Sequence, residues 1–318
     1  MTHITGAVSF SVVLLLLCIA FFSFIGTWTG VWIYRRRTSA QPHWKGAVWG
    51  LKLMGFILPV LWLWFLIFWG IGYQRLSIDM RLGLDASPVT EEEVRHVEAS
   101  LLKIIQRDQP KQPEDRNTEL AIQSISNAMQ CVVLEWDGIP IQIPERVKAT
   151  PAGLLLMNGT SGMCVPFTLE PHVDGGLPDT AFVSVAAHEL GHITGICDEG
   201  ETNLLGYAAG LRAENPYARY TVALGIYRRI GERSREEWDT AFQRLPEQAQ
   251  SDLKKAGKAS ERYRIRWFQQ LSWRIYNQYL KSQGVKEGVK SYARGTQLLI
   301  RLWRAGHIAL PELLIEVE

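Results

Sequence analysis

Two long apolar runs near the N-terminus constrain this chain more than any other feature. From Ala7 to Tyr34 there is no charged residue, and from Gly46 to Tyr73 the only charge is Lys52. A bilayer-spanning helix needs about 20 apolar residues, and lipid tolerates only backbone that satisfies its own hydrogen bonds. Each run therefore predicts a membrane helix. Residues 1–6 carry no Lys or Arg, and the basic block Arg35-Arg36-Arg37 follows the first run. A cleaved signal peptide has its positive charge in front, so the first run is expected to be retained. Lys52 lies near one end of its run, where it can snorkel, and Pro59 is tolerable because neighbouring groups re-satisfy the backbone in lipid. Five of the 12 tryptophans (Trp44, Trp49, Trp62, Trp64, Trp69) crowd the same region, as interfacial tryptophans do.

These features predict a two-helix hairpin anchor over residues 1–73. Its short loop holds Arg35, Arg36, Arg37 and Lys45 and no acid. The positive-inside rule puts that loop in the cytoplasm and residues 74–318 on the extracytoplasmic side, as one domain. The partner implied is a lipid bilayer. A net charge of +2 and the lack of any nucleic-acid motif exclude a nucleic-acid partner. Oligomeric state is not readable from the sequence. Of the four cysteines, Cys18 lies in the first apolar run, leaving Cys131, Cys164 and Cys197 without a C-x-x-C pair. That excludes a disulfide framework or a zinc ribbon. Cys164 and Cys197 could pair in an oxidising compartment, although two buried thiols are the simpler reading.

In the downstream domain, Thr90 followed by Glu91, Glu92 and Glu93 predicts an N-cap and a helix of about 16 residues. A second helix is expected over 118–130. Short strands are expected at Cys131 to Glu135, Gly153 to Met157 and Met163 to Phe167. His172 and Asp174 are expected on a surface turn, with an approach to the active site as the alternative. Helices follow at about 180–195, 201–213, 217–231, 234–244, 247–256, 260–282 and 288–305. On the penultimate one Trp267, Leu271, Ile275 and Tyr279 fall at helical spacing.

The chemistry concentrates in His188-Glu189-Leu190-Gly191-His192, an H-E-x-x-H match. Residues four apart share one face of a helix, so His188 and His192 can aim at one Zn²⁺. Glu189 lies beside that face, where it can act as general base. A catalytic zinc usually takes three protein ligands. Gly195 is expected to end the helix, and the next is expected to open near Asp198, Glu199 and Glu201. Glu201 is the first choice for third ligand, Glu199 the second and Asp198 the third. The bare motif also occurs by chance on structural helices.

The segment Pro166-Phe167-Thr168, Leu177-Pro178-Asp179, A-H-E-L-G-H-x-x-G and E-G-E-T-N-L-L-G-Y resembles an uncharacterised bacterial family of membrane-anchored, zincin-like proteins catalogued as a domain of unknown function. The likeness extends over Arg81-Leu82-Gly83-Leu84, Thr90 to Glu93, Asn277 to Tyr279 and Gly288 to Arg294. It implies a zinc-dependent peptidase-like site with Glu201 as third ligand. It also implies a small sheet above the active-site helix whose edge, Met163 to Phe167, pairs with extended substrate. Tyr292 and Arg294 become candidate oxyanion donors, and Asn203 and Asp198 candidates for orienting the histidines.

The fold class expected is mainly α: a transmembrane hairpin, then a zincin-like α+β domain with a small sheet and a helical C-terminal half. The function expected is a membrane-anchored zinc metallopeptidase acting on peptide or protein substrates. The alternatives are a zinc hydrolase of a non-peptide amide and a non-catalytic membrane scaffold.

Overall fold

A computed structural model describes residues 44–310 apart from 232, with isolated positions between 11 and 29. The first expected membrane run lies largely outside the described residues. The second is a helix, α1 (Trp44–Phe68), with Pro59 inside it. Among the described residues, Gly50–Phe68 is the one stretch long and apolar enough to cross a membrane, and apart from Phe65 near its end its large apolar side chains are not buried by protein. Leu, Ile, Phe and Trp side chains are exposed along it, as suits a helix in contact with an apolar medium.

After α1 the chain turns through a short 3₁₀ segment into α2 (Ile78–Leu82), α3 (Glu91–Asp108) and α4 (Thr118–Asp137). α3 starts as its sequence dictates: Thr90 accepts from the Glu93 N–H while the Glu93 carboxylate accepts from the Thr90 N–H. α4 runs through Cys131 to Glu135, where a strand was expected. Met129, Val132, Val133 and Trp136 are buried at helical spacing, and packing that stripe outweighs the strand preference of two valines.

Three short strands follow: β1 (Lys148–Thr150), β2 (Gly162–Val165) and β3 (Glu170–Asp174). They form one sheet in the order β1-β3-β2. β3 pairs in parallel with β1 and antiparallel with β2. β2 answers to the strand expected at Met163. Gly153 to Met157 forms turns and a 3₁₀ segment instead, and β1 and β3 were not anticipated. His172 and Asp174 are not on a surface turn. Both are buried in β3, where the Asp174 carboxylate accepts the backbone N–H groups of Gly153, Leu155, Leu156 and Gly176.

The rest is helical: α5 (Asp179–His192), α6 (Glu199–Arg212), α7 (Pro216–Arg229), α8 (Arg235–Gln243), α9 (Glu247–Tyr263), α10 (Arg266–Ser282) and α11 (Ser291–Arg304). α5 and α6 pack on each other and on α4 and α7, α11 covers α6, and Leu190, Leu204 and Leu205 are fully buried. α6 approaches its neighbours through glycines. A Cβ on Gly206 would meet the Ala187 carbonyl oxygen at 2.9 Å, and one on Gly295 would meet the Asn203 Cβ at 2.5 Å. These close approaches bring α5, α6 and α11 together at one point.

A smaller cluster joins α1 to this domain. Phe65, Trp69, Cys164, Ile193 and Cys197 pack together, with Tyr73, Leu169 and Tyr279 at its margin. Cys164 and Cys197 are buried and free.

Candidate metal centre

α5 delivers the two histidines. One turn apart, the imidazoles of His188 and His192 lie edge to face with centroids 4.9 Å apart. α5 ends at His192, and Gly195 takes the left-handed conformation (φ 81°) that turns the chain back. Asp198 then caps α6 by accepting the Glu201 N–H at 3.0 Å. This turn swings the first residue of α6, Glu199, over the histidines. Its Oε2 stands 3.1 Å from His188 Nε2 and 3.5 Å from His192 Nε2. The three ligand atoms lie within 4.8 Å of one another, close enough to hold a single metal ion.

Glu201, the first choice for third ligand, is not in this cluster. Positions two apart on a helix point about 200° apart, so Glu199 and Glu201 cannot serve the same point. The Glu201 carboxylate instead accepts the Ile78 N–H at 3.0 Å and faces Arg294 at 3.7 Å. It ties α6 to α2, the first α-helix after α1. Arg294 also pairs with Asp198 at 2.7 Å, so neither of these reaches the imidazoles.

The second nitrogen of each histidine is held. His188 Nδ1 is 2.9 Å from the Asn203 side-chain oxygen, and His192 Nδ1 is 2.9 Å from the Ile196 carbonyl. A carbonyl oxygen only accepts, so both Nδ1 atoms carry a hydrogen and both Nε2 atoms face Glu199. This is the orientation in which histidines ligate metals. Burial opposes a charge on His192, but Glu199 beside it raises its pKa to about 9. Burial likewise opposes ionisation of Glu199, yet His192 and His188 hold its carboxyl well below the usual range.

Glu189 is buried on α5, facing β2. A Cβ on Gly162 would sit 2.6 Å from the Glu189 Oε1, so only glycine lets the strand come this close. The Asp174 N–H donates to the Ser161 carbonyl, which fixes the pairing phase and turns the backbone groups of Gly162 and Cys164 away from β3. From that outer edge the Cys164 N–H reaches Glu189. Burial nevertheless pushes the Glu189 carboxyl up. A carboxylate with a raised pKa is suited to taking a proton near neutrality.

Tyr292 joins the site from α11. Its ring stacks on His188 at 6.0 Å, and its hydroxyl is within reach of Tyr276 and Glu199. Two further neighbours were not found from the sequence. Tyr276 on α10 donates to Glu199 Oε1, and Trp69, just past α1, packs 5.4 Å from His192. The alternative apolar stripe of α10 (Trp273, Tyr276, Leu280) and the position of Trp69 at the end of a membrane run were the available signals. All these groups open on one cavity of about 750 Å³. His172 stands apart, with Nε2 2.8 Å from Ser11 Oγ.

A family model described as "Protein of unknown function (DUF3810)" matches residues 1–300. No curated protein and no solved structure matches the chain. The matched stretch takes in the apolar runs, the sheet and every residue of the cluster on α5 and α6. The chain therefore belongs to the family of proteins of unknown function designated DUF3810.

Proposed function

We propose that this protein is a membrane-anchored, zinc-dependent peptidase with a zincin-like catalytic domain. The observation that carries the reading is the convergence of His188 Nε2, His192 Nε2 and Glu199 Oε2 beside the buried carboxylate of Glu189. Two imidazoles and one carboxylate make a donor set that suits zinc with an open fourth position. The Nδ1 hydrogen bonds to Asn203 and Ile196 fit it, since both leave Nε2 free to ligate. Glu199 serves as third ligand, in place of Glu201.

When bound, zinc supplies Lewis acidity and eases deprotonation of water near pH 7. Glu189 accepts that proton on its carboxylate and passes it to the leaving amine. The outward backbone groups at Gly162 offer an extended chain a strand to pair with, which favours a peptide over a small amide. Tyr292, against His188, is placed to donate to the developing oxyanion. The fold is anchored by a two-helix hairpin, and the short basic loop places residues 74–318 outside the cytoplasm.

The test is peptide profiling by mass spectrometry with the zinc-loaded full chain beside Glu189→Gln. Cleavage lost in the variant while zinc is retained supports a peptidase. Identical peptide profiles with and without the wild-type enzyme would remove the proposed activity.

A further inference from the structure

α10 carries two apolar stripes, and one of them faces outward. Of the residues at helical spacing, Trp267, Leu271 and Ile275 are 68, 48 and 62 % exposed. Its inner face is Trp273, Tyr276 and Leu280, which meet the 3₁₀ segment after β1, the metal-site cavity and the core. The exposed stripe is not isolated. One turn beyond Ile275 lies Tyr279, whose ring meets Phe65 of α1 at 6.1 Å and whose hydroxyl is 3.3 Å from that of Tyr73. Phe65 lies three residues before the end of α1, about 5 Å from the end of its apolar stretch. Trp64 is at the same level and donates to the Phe167 carbonyl at 3.3 Å. The apolar surface of the membrane segment thus continues onto α10.

The charge on α10 has one sign. Arg266, Arg274 and Lys281 are exposed, and the helix contains no acid. An apolar Trp-Leu-Ile stripe bordered by Arg and Gln is the composition of a helix lying in the plane of an anionic bilayer surface. Phe65, Trp69, Met163, Ile275 and Tyr279 also line the metal-site cavity. We propose that α10 lies in the headgroup layer of the bilayer crossed by α1, with Trp267, Leu271 and Ile275 turned into lipid. The cavity then opens at the membrane surface, between α1, α10 and the tip of the β2–β3 turn. A segment close to a membrane anchor reaches it without leaving that surface. The inference rests on the anchoring by α1 and not on the peptidase chemistry.

The test uses the full chain in vesicles of phosphatidylethanolamine and phosphatidylglycerol, with Cys18 and Cys131 replaced by serine. A nitroxide is attached through Leu271→Cys and, as reference, through Glu91→Cys, whose side chain is 93 % exposed. Collision with oxygen is compared with collision with a water-soluble nickel chelate. The label at 271 is expected to favour oxygen by several-fold over the label at 91. Equal behaviour of the two labels, in protein that floats with the vesicles, would overturn the proposal and give the stripe to a protein partner. Protein that does not float would refute the anchoring instead. Should Leu271→Cys fail to fold, quenching by brominated lipid decides: Trp267→Phe is expected to remove a quenchable component, and an unchanged quenching curve overturns the proposal.

Discussion

The side-chain oxygen of Asn203 stands 2.9 Å from His188 Nδ1. The orientation of that amide is set by its nitrogen, which donates to the Tyr292 carbonyl at 3.1 Å. A residue of α11 thereby fixes the tautomer of a histidine on α5, through a side chain on α6. Asn203→Ala removes the link and leaves the imidazole free to rotate. Metal affinity is expected to fall by about 10–100-fold, as for other residues that orient metal-ligating histidines. Competition against a chelator of known affinity measures it, and an unchanged affinity would deny Asn203 this role.

Gly162 is where the sheet touches the proposed general base. Gly162→Ala places a methyl group 2.6 Å from Glu189 Oε1 and 2.7 Å from Val185 Cγ1. Overpacking of this kind costs about 1–3 kcal/mol. The variant is expected to melt earlier and to lose hydrolytic rate while keeping its metal, since no ligand is displaced. Thermal unfolding and metal content of the full chain in micelles give the two readings.

Asp174 organises the connection between β1 and β2. Its fully buried carboxylate serves four backbone N–H groups, those of Gly153, Leu155, Leu156 and Gly176. Leaving a buried donor unpaired costs about 1–3 kcal/mol each. Asp174→Ala is therefore expected to destabilise the domain by at least about 3 kcal/mol. A loss below about 1 kcal/mol in denaturant unfolding would show that solvent satisfies the loop instead.

Acid should loosen the clasp between α3 and α11. Arg304 grips Glu93 with bonds of 2.6 and 2.7 Å. The Arg304 guanidinium, helped by the Thr90 N–H, lowers the Glu93 carboxyl from 4.5 to about 2. A folded-state pKa below the unfolded one means that the stabilisation is complete above about 4.5 and fades as pH falls toward 2. The melting-temperature advantage of wild type over Glu93→Gln is expected at pH 6 and diminished at pH 3. An advantage that grew on acidification would contradict the assignment.

Local signals carried most of the helical architecture. The Thr90 capping box, the glycine after α5 and the Asp198 cap each act within a few residues, so sequence places them well. Glu199 and Glu201 differ in a way that sequence does not display: both open α6, and only the direction from which α5 crosses selects Glu199. The two apolar stripes of α10 were likewise indistinguishable, because which one faces inward depends on where α1 and the cavity lie. β1 and β3 are short and gain their order from Asp174 and from each other, so no period-two pattern announced them. Tyr276 reaches Glu199 from 77 residues away in sequence, a distance no local pattern bridges.

The most direct test of the account is the metal content of the purified full chain beside Glu199→Ala and Glu201→Ala. The account predicts about one zinc per wild-type chain, lost with Glu199→Ala and kept with Glu201→Ala, whose carboxylate only ties α6 to Ile78. A wild-type chain that takes up no zinc, or zinc lost with Glu201→Ala and kept with Glu199→Ala, would contradict it.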